Sequence, residues 1–316
     1  MVATEQVAAQ ARPRYALPTL VTVTTLVILA VVVGWPETLV DSLGARARDI
    51  AGRPLAMTWI VGLPALLVAE RVFAIDRPDY RDPRVLMNVL YSLALSPAMV
   101  TIVGFFVFRS HDWVAENMNL FHLDVFDGLP AWSVGVLAFL IGDFLLWLTH
   151  MITHKVPAFW RFHEVHHSPT TMTMFVADRS HPLEAVFQAV FSLGIIVALG
   201  PTIQRLQWLA IIASFGTWWV YLVHANVRLR LGPLRHVLVT PQSHRIHHSA
   251  REDHWDSNYG FVLSIWDRAF GTQNADSTSY PPTGIDQERF PFPESLAPKE
   301  MASAFAAQVA WPFRKG

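Results

Sequence analysis

The sequence predicts an all-α integral membrane protein: about four to six transmembrane helices carrying a cytoplasmic, histidine-rich helical cap. Three observations predict it. Of the 316 residues, 52% are hydrophobic and only 16% charged, and mean hydropathy is +0.31, as expected when much of the surface meets lipid. Apolar runs long enough to cross a bilayer recur along the chain. Ten of the 14 histidines cluster along the chain, and eight of them recur at spacings of three and four, which place side chains on one face of a helix.

Composition also excludes whole classes. A net charge of −1 leaves no extended basic field for phosphates, so nucleic acid is not an expected partner. The chain has no cysteine. Disulfides, thiolate-ligated haem, cysteine-held iron–sulfur clusters and Cys-type zinc sites are therefore excluded, and histidine with carboxylate is the metal chemistry available.

Residues 1–16, with Arg12 and Arg14, read as a cytoplasmic N-terminus. Residues 17–142 read as a transmembrane region. Its first span, 17–35, is free of charge and reads as an uncleaved anchor, since a secretory signal has a shorter apolar region and a small-residue cleavage site. A second span lies near 54–73, with Pro64 inside it and Glu70 and Arg71 near its end. A third, 85–108, is bracketed by Arg84 and Arg109. The loop 109–127 is acidic, with Arg109 as its one basic residue, so the positive-inside rule puts it outside. The fourth span, near 129–149, then runs inward and delivers His150 and His154 to the cytoplasmic end. Asp143 sits on it seven residues before His150 and on nearly the same face, and an ionisable residue at membrane depth is a functional candidate. Two further apolar runs, 185–204 and 206–223, flank Arg205 and read as a hairpin. That parity returns His224, His244, His247 and His248 to the side that holds the earlier histidines, and puts both termini in the cytoplasm. A bacterial inner membrane is the expected location.

Residues 273–316 form a C-terminal tail. Pro, Asp, Ser and Thr dominate 273–292, and Met301, Phe305 and Val309 then recur every four residues. That spacing fits an amphipathic helix on the membrane surface and equally a helix packed on the cytoplasmic domain.

The histidines admit three readings. His163-Glu164-Val165-His166-His167 satisfies His-Glu-x-x-His, the pattern of a membrane zinc protease with Glu164 as general base between His163 and His167. The chain repeats the spacing at His244-Arg245-Ile246-His247-His248 with arginine in the glutamate position, so the imidazoles recur and the base does not. Glu164 and His167 also satisfy the Glu-x-x-His of soluble di-iron carboxylate bundles, but Arg245 removes the second pair that such a site needs. In the third reading His150 and His154, then His163, His166 and His167, then His244, His247 and His248 form three boxes around two metals, with roughly five ligands for each. His181 and His224 are the additional candidates. His111, His122, His236 and His254 read as ordinary surface or loop histidines.

At these boxes the sequence resembles the fatty acid hydroxylase / sterol desaturase superfamily of membrane histidine-box oxygenases. The resemblance covers 143–272, including Trp160-Arg161-Phe162-His163, Arg179-Ser180-His181-Pro182-Leu183-Glu184 and Asn258-Tyr259-Gly260 leading to Trp266-Asp267-Arg268-Ala269-Phe270-Gly271-Thr272. The stretch Thr240 to His248 looks most like the alkylglycerol monooxygenase and bacterial sterol-desaturase-like branches. Two departures stand out: Met151 follows the first histidine where many relatives have arginine, and His224 stands alone where some have a pair. The resemblance implies a catalytic domain over 143–272 that includes a membrane hairpin, two iron ions, molecular oxygen, and a lipid hydroxylated or desaturated at a C–H bond. The length of the chain is taken up by spans and boxes, so electrons are expected from a separate ferredoxin- or cytochrome-type protein. Asp143, Glu164 and Asn258 are expected to orient imidazole rings from behind.

Overall fold

A computed structural model describes residues 58–99, 129–188, 207–285 and 289–314. The first apolar run, the 109–127 loop and the turn of the proposed hairpin lie outside the described residues, as do His111 and His122. The described residues are helical with no strand, and the extended segments meet only in isolated bridges such as Leu238 with Leu263 and Ser249 with Thr283.

In chain order the helices are α1 (Leu63–Phe73), α2 (Pro83–Leu90, continued by further helical turns to residue 99), α3 (Ala131–Lys155), α4 (Pro157–His167), α5 (Gln207–His224), α6 (Pro241–His247), α7 (Ile265–Ala269) and α8 (Pro298–Ala310). Among the described residues, 132–155 of α3 are the one helix long and apolar enough to cross a membrane. Its outer face leaves Trp132, Val136 and Ile141 exposed. The helix runs past the expected end of the span, so His150 and His154 both lie on it, one turn apart.

Pro157 ends α3 and starts α4. Proline disfavours helical geometry in the residue before it, and Val156 takes extended angles (φ −101°, ψ 111°). The same proline occupies the first turn of α4, where its missing N–H costs nothing. One sharp corner thus sets the histidine face of α3 against that of α4. α6 begins with a reciprocal cap: Ser243 N–H donates to Thr240 Oγ1 (3.0 Å) and Thr240 N–H to Ser243 Oγ (2.9 Å), with Pro241 in the first turn. This fixes where α6 starts, and hence which way its histidines point.

Two apolar clusters hold the frame. The larger joins α1 to α5 through Leu63, Leu66, Trp218, Leu222 and Val223 and takes in Val239, Val262 and Leu263. Glu70 is fully buried beside it and accepts from Met174 N–H (2.7 Å), Asn226 N–H (2.9 Å) and the Tyr80 hydroxyl (2.8 Å). It therefore ties α1 to the chain just beyond His224. The smaller cluster packs Met87, Tyr91 and Val165 against Phe290, Met301 and Ala304. Of the two placements open to the C-terminal helix, α8 takes the packed one: Met301, Ala304 and Gln308 face inward.

Candidate metal centre

Nine of the ten candidate histidines converge, in two groups. His150, His154, His163, His167 and His247 form group one; His166, His224, His244 and His248 form group two. Within each group one ligand atom per residue lies within 4.8 Å of the others, and neither group contains a carboxylate. The groups touch: the rings of His167 and His248 stack at 4.3 Å, and those of His166 and His248 lie 4.7 Å apart.

Between these side chains ring nitrogens face one another with no proton to share. A neutral imidazole has one N–H and one lone pair. His150 Nδ1–H donates to the Tyr259 carbonyl (2.8 Å) and His247 Nδ1–H to that of Ser257 (2.8 Å). Their Nε2 atoms are then both bare lone pairs, yet they face each other at 3.0 Å. The same holds in group two. His166 and His224 donate through Nδ1 to the Arg179 and Val220 carbonyls (3.0 and 2.7 Å), and their Nε2 atoms stand 3.3 Å apart. Lone pairs at that distance repel unless a cation lies between them. Ligand nitrogens about 2.1 Å from one ion, at angles of roughly 90–110°, lie about 3.0–3.4 Å from each other. The remaining Nε2 pairs fit that spacing: His150 to His163 3.1 Å, His163 to His167 3.2 Å, His244 to His248 3.2 Å and His224 to His244 2.9 Å. His154 Nε2 is buried with no hydrogen-bond partner. The donor set fits two metal ions.

Burial, and then the neighbouring imidazoles, push the ring pKa values of His166, His167, His244 and His248 far below the ordinary value. Burial holds His247 down to about 3. These rings are neutral at physiological pH, which is the ligating form.

His181 lies outside both groups. Its Nδ1 accepts from Leu183 N–H (3.1 Å), so Nε2–H donates to the Val309 carbonyl (2.9 Å), and neither nitrogen is free. His254 is no surface histidine: it is 2% exposed, with Nδ1 on Ser249 Oγ (3.0 Å). The three residues expected to orient rings have other contacts. Asp143 accepts from Val262 N–H, Leu263 N–H and Trp266 Nε1–H. Asn258 donates to the Ser243 carbonyl and accepts from Asn274 N–H. Glu164 Oε2 accepts from Trp311 Nε1–H (2.7 Å).

Ring orientation comes instead from backbone carbonyls and from Glu184, whose Oε1 accepts from His163 Nδ1–H at 2.6 Å. The sequence signal for Glu184 was a lone acid at the head of a long apolar run. The carbonyls had none, because any residue can supply one. Asp267 positions one of them: it accepts from Tyr259 N–H, Gly260 N–H, Trp147 Nε1–H and the Thr272 hydroxyl, fixing the loop that aims the Tyr259 carbonyl at His150. Gly260 is required there, since a Cβ would lie 2.7 Å from both the Leu263 carbonyl and Val239 Cγ2. Asp143, holding the Val262 and Leu263 N–H groups, completes the clamp.

A cavity of about 330 Å³ opens against group one, lined by His154, His167 and His247 together with Trp160, Glu164 and Trp255. Lys155 and Asp256 pair at 2.8 Å beside it. Glu164 thus faces this space, but His163 and His167 share their group with three further imidazoles. A zincin uses three protein ligands and a water, so the protease reading finds no support. The bundle-type carboxylate site has none either, because no carboxylate joins a donor group.

Residues 135–272 match the family model described as Fatty acid hydroxylase. The chain is 32% identical over 183 residues to an ornithine lipid hydroxylase of Rhizobium tropici, covering 57% of this chain and 51% of that protein. It is 32% identical over 168 residues to the human alkylglycerol monooxygenase, covering 53% and 36%. A Delta(7)-sterol 5(6)-desaturase of Candida glabrata is 24% identical over 227 residues, covering 69% and 59%. The chain thus spans about half the length of the first of these relatives and less of the second. No solved structure matches.

Proposed function

For a chain that carries a fatty acid hydroxylase domain over residues 135–272, we propose the activity of a membrane oxygenase that holds two iron ions and hydroxylates or desaturates a lipid C–H bond. The observation that carries this reading is the set of nine imidazoles, eight of them buried, whose lone pairs face one another in two adjacent groups. Bound iron supplies the oxidative chemistry, using molecular oxygen and electrons from a ferredoxin- or cytochrome-type partner.

The chain's own residues hold, orient and shield. Group one takes its donors from α3, α4 and α6, and group two from α4, α5 and α6. Burial keeps bulk water from the rings, and the Tyr259, Ser257, Arg179 and Val220 carbonyls fix the tautomer that leaves Nε2 for the metal. The cavity against group one gives the reacting carbon a place beside the metals. Identity to the named hydroxylase and monooxygenase exceeds that to the desaturase, which favours hydroxylation. The recurring apolar runs and the acidic 109–127 loop support a multi-pass protein of a bacterial inner membrane, with the histidine cap toward the cytoplasm and 109–127 outside.

Two measurements test this. Metal analysis of the purified protein should give close to two irons per chain. Lipid profiling of cells with and without the gene, grown under oxygen, should reveal a lipid that gains one oxygen atom or loses two hydrogens. Iron-free protein, or profiles that do not differ, would overturn the reading.

A further inference from the structure

We propose that the two metal groups are made chemically unequal by Glu184, which sets a carboxylate behind group one, whereas the described Nδ1 partners in group two are neutral backbone carbonyls. The inference rests on the reading of the histidines as metal ligands and adds a division of roles between the two ions.

Every described Nδ1 partner in the two groups is a neutral backbone carbonyl except one. His163 Nδ1–H donates to Glu184 Oε1 at 2.6 Å, with both side chains at most 4% exposed. Glu184 Oε2 is buried and has no hydrogen-bond partner, so no second donor draws the anion's charge away from His163. A carboxylate on the outer nitrogen makes an imidazole a stronger donor through the inner one. Group one therefore holds its cation more tightly than its five rings alone provide.

Five residues earlier the same stretch serves group two without a carboxylate. The Arg179 carbonyl accepts from His166 Nδ1–H, which orients a group-two ring. Its side chain is 1% exposed. The guanidinium donates to the Val165 carbonyl, Ser168 Oγ, Asn88 Oδ1 and Gln308 Oε1, all neutral, and lies over the Tyr91 ring at 4.8 Å. No carboxylate is among these partners, and arginine does not lose its charge in proteins. Group two, already one ligand short of group one, is the weaker and more exchangeable site.

The test is a cobalt(II) titration of the full-length metal-free protein in detergent, followed by visible absorption and by chelator competition. Wild type should take up two ions in two resolved steps. Glu184→Gln keeps the hydrogen-bond geometry and removes the charge; it should weaken the tighter step by ~10- to ~100-fold and leave the weaker one in place. Glu184→Asp retains the charge and should recover most of that loss. Equal weakening of both steps in Glu184→Gln, or a loss as large in Glu184→Asp, would make Glu184 merely structural and overturn the inference. Wild-type protein that takes up no cobalt would instead overturn the metal reading itself, and this inference with it.

Discussion

The two His-x-x-His-His boxes share one spacing, but they serve the two metal groups in opposite ways. On α4 the pair four residues apart, His163 and His167, enters group one, and the odd member, His166, enters group two. On α6 the pair His244 and His248 enters group two, and His247 crosses to group one. Residues three and four along share the broad face of the first but fall on opposite sides of it, about 100° apart around the axis. Two such helices set face to face therefore exchange their odd members and stitch the groups together. What breaks the symmetry is the third contribution: α3 gives group one a pair, His150 and His154, whereas α5 gives group two only His224. The residue after the first histidine differs as well. Glu164 faces the cavity beside group one, while Arg245 turns away, is buried, and bonds to Asp76 (2.9 Å) and the Pro281 carbonyl (2.8 Å).

The sharpest way to break this comparison is at the crossing point on α6. His248→Ala leaves group two with three rings, and His247→Ala leaves group one with four. The double substitution should abolish turnover and release at least the group-two metal, with iron content falling well below two per chain by elemental analysis. Retention of both metals in the double variant would refute the ligand assignment.

A second, smaller effect concerns the metal-free protein. His166, His167, His244 and His248 have ring pKa values pushed far below the ordinary 6.5 by burial and neighbouring rings, and His247 is pushed to about 3 by burial. In the unfolded chain these rings bind protons near the ordinary value. Between the folded and unfolded values the unfolded state holds more protons, so stability rises with pH across that window. The metal-free protein should therefore lose thermal stability progressively as pH falls below 6.5 toward 3, and bound metal should oppose the loss by keeping the rings unprotonated. A melting temperature that stays level through that window would contradict the burial of neutral rings.

The two residues that distinguish the boxes give the next effect. Glu164→Gln should leave metal content near wild type and leave residual turnover, because Glu164 bonds to Trp311 and faces the cavity and does not act as an essential base. Oxygen-independent peptide cleavage, lost completely in that variant, would restore the protease. Arg245→Ala should leave metal content near wild type and cost about 2 kcal/mol of stability, since it removes charged hydrogen bonds remote from the rings.

The boxes were legible because their signal is local. Imidazoles at intervals of three and four mark a helix face whatever the tertiary context, and the apolar run before His150 marked α3 almost to its end. The sorting of rings into groups was not legible. It depends on the corner at Pro157, which turns His150 and His154 onto α4, and on the cap at Thr240, which sets the rotation of α6. Asp143 was singled out for its depth in the membrane, but its role, holding the N–H groups of Val262 and Leu263, depends on a loop more than a hundred residues away. His254 looked like a loop histidine, and its burial arises from the fold of the 249–257 turn, where Ser249 and Ser257 close around it.

The smallest expected effect is at the one candidate ligand that stands apart. His181, a candidate for the coordination position left by the missing partner of His224, shares a short stretch with Glu184 and Arg179. Both of its nitrogens are committed, one accepting from Leu183 N–H and the other donating to the Val309 carbonyl, so its link is to the end of α8. His181→Gln can keep one of these bonds, and its cost should be about 1 kcal/mol of stability, the net worth of a single hydrogen bond. Iron content should stay at two per chain, and the tighter cobalt step should not move. Loss of a whole equivalent of metal in His181→Gln would bring that ring into the coordination sphere and give group two the fifth donor that α5 does not supply. The two groups would then be equal in number, and their difference would rest on charge alone.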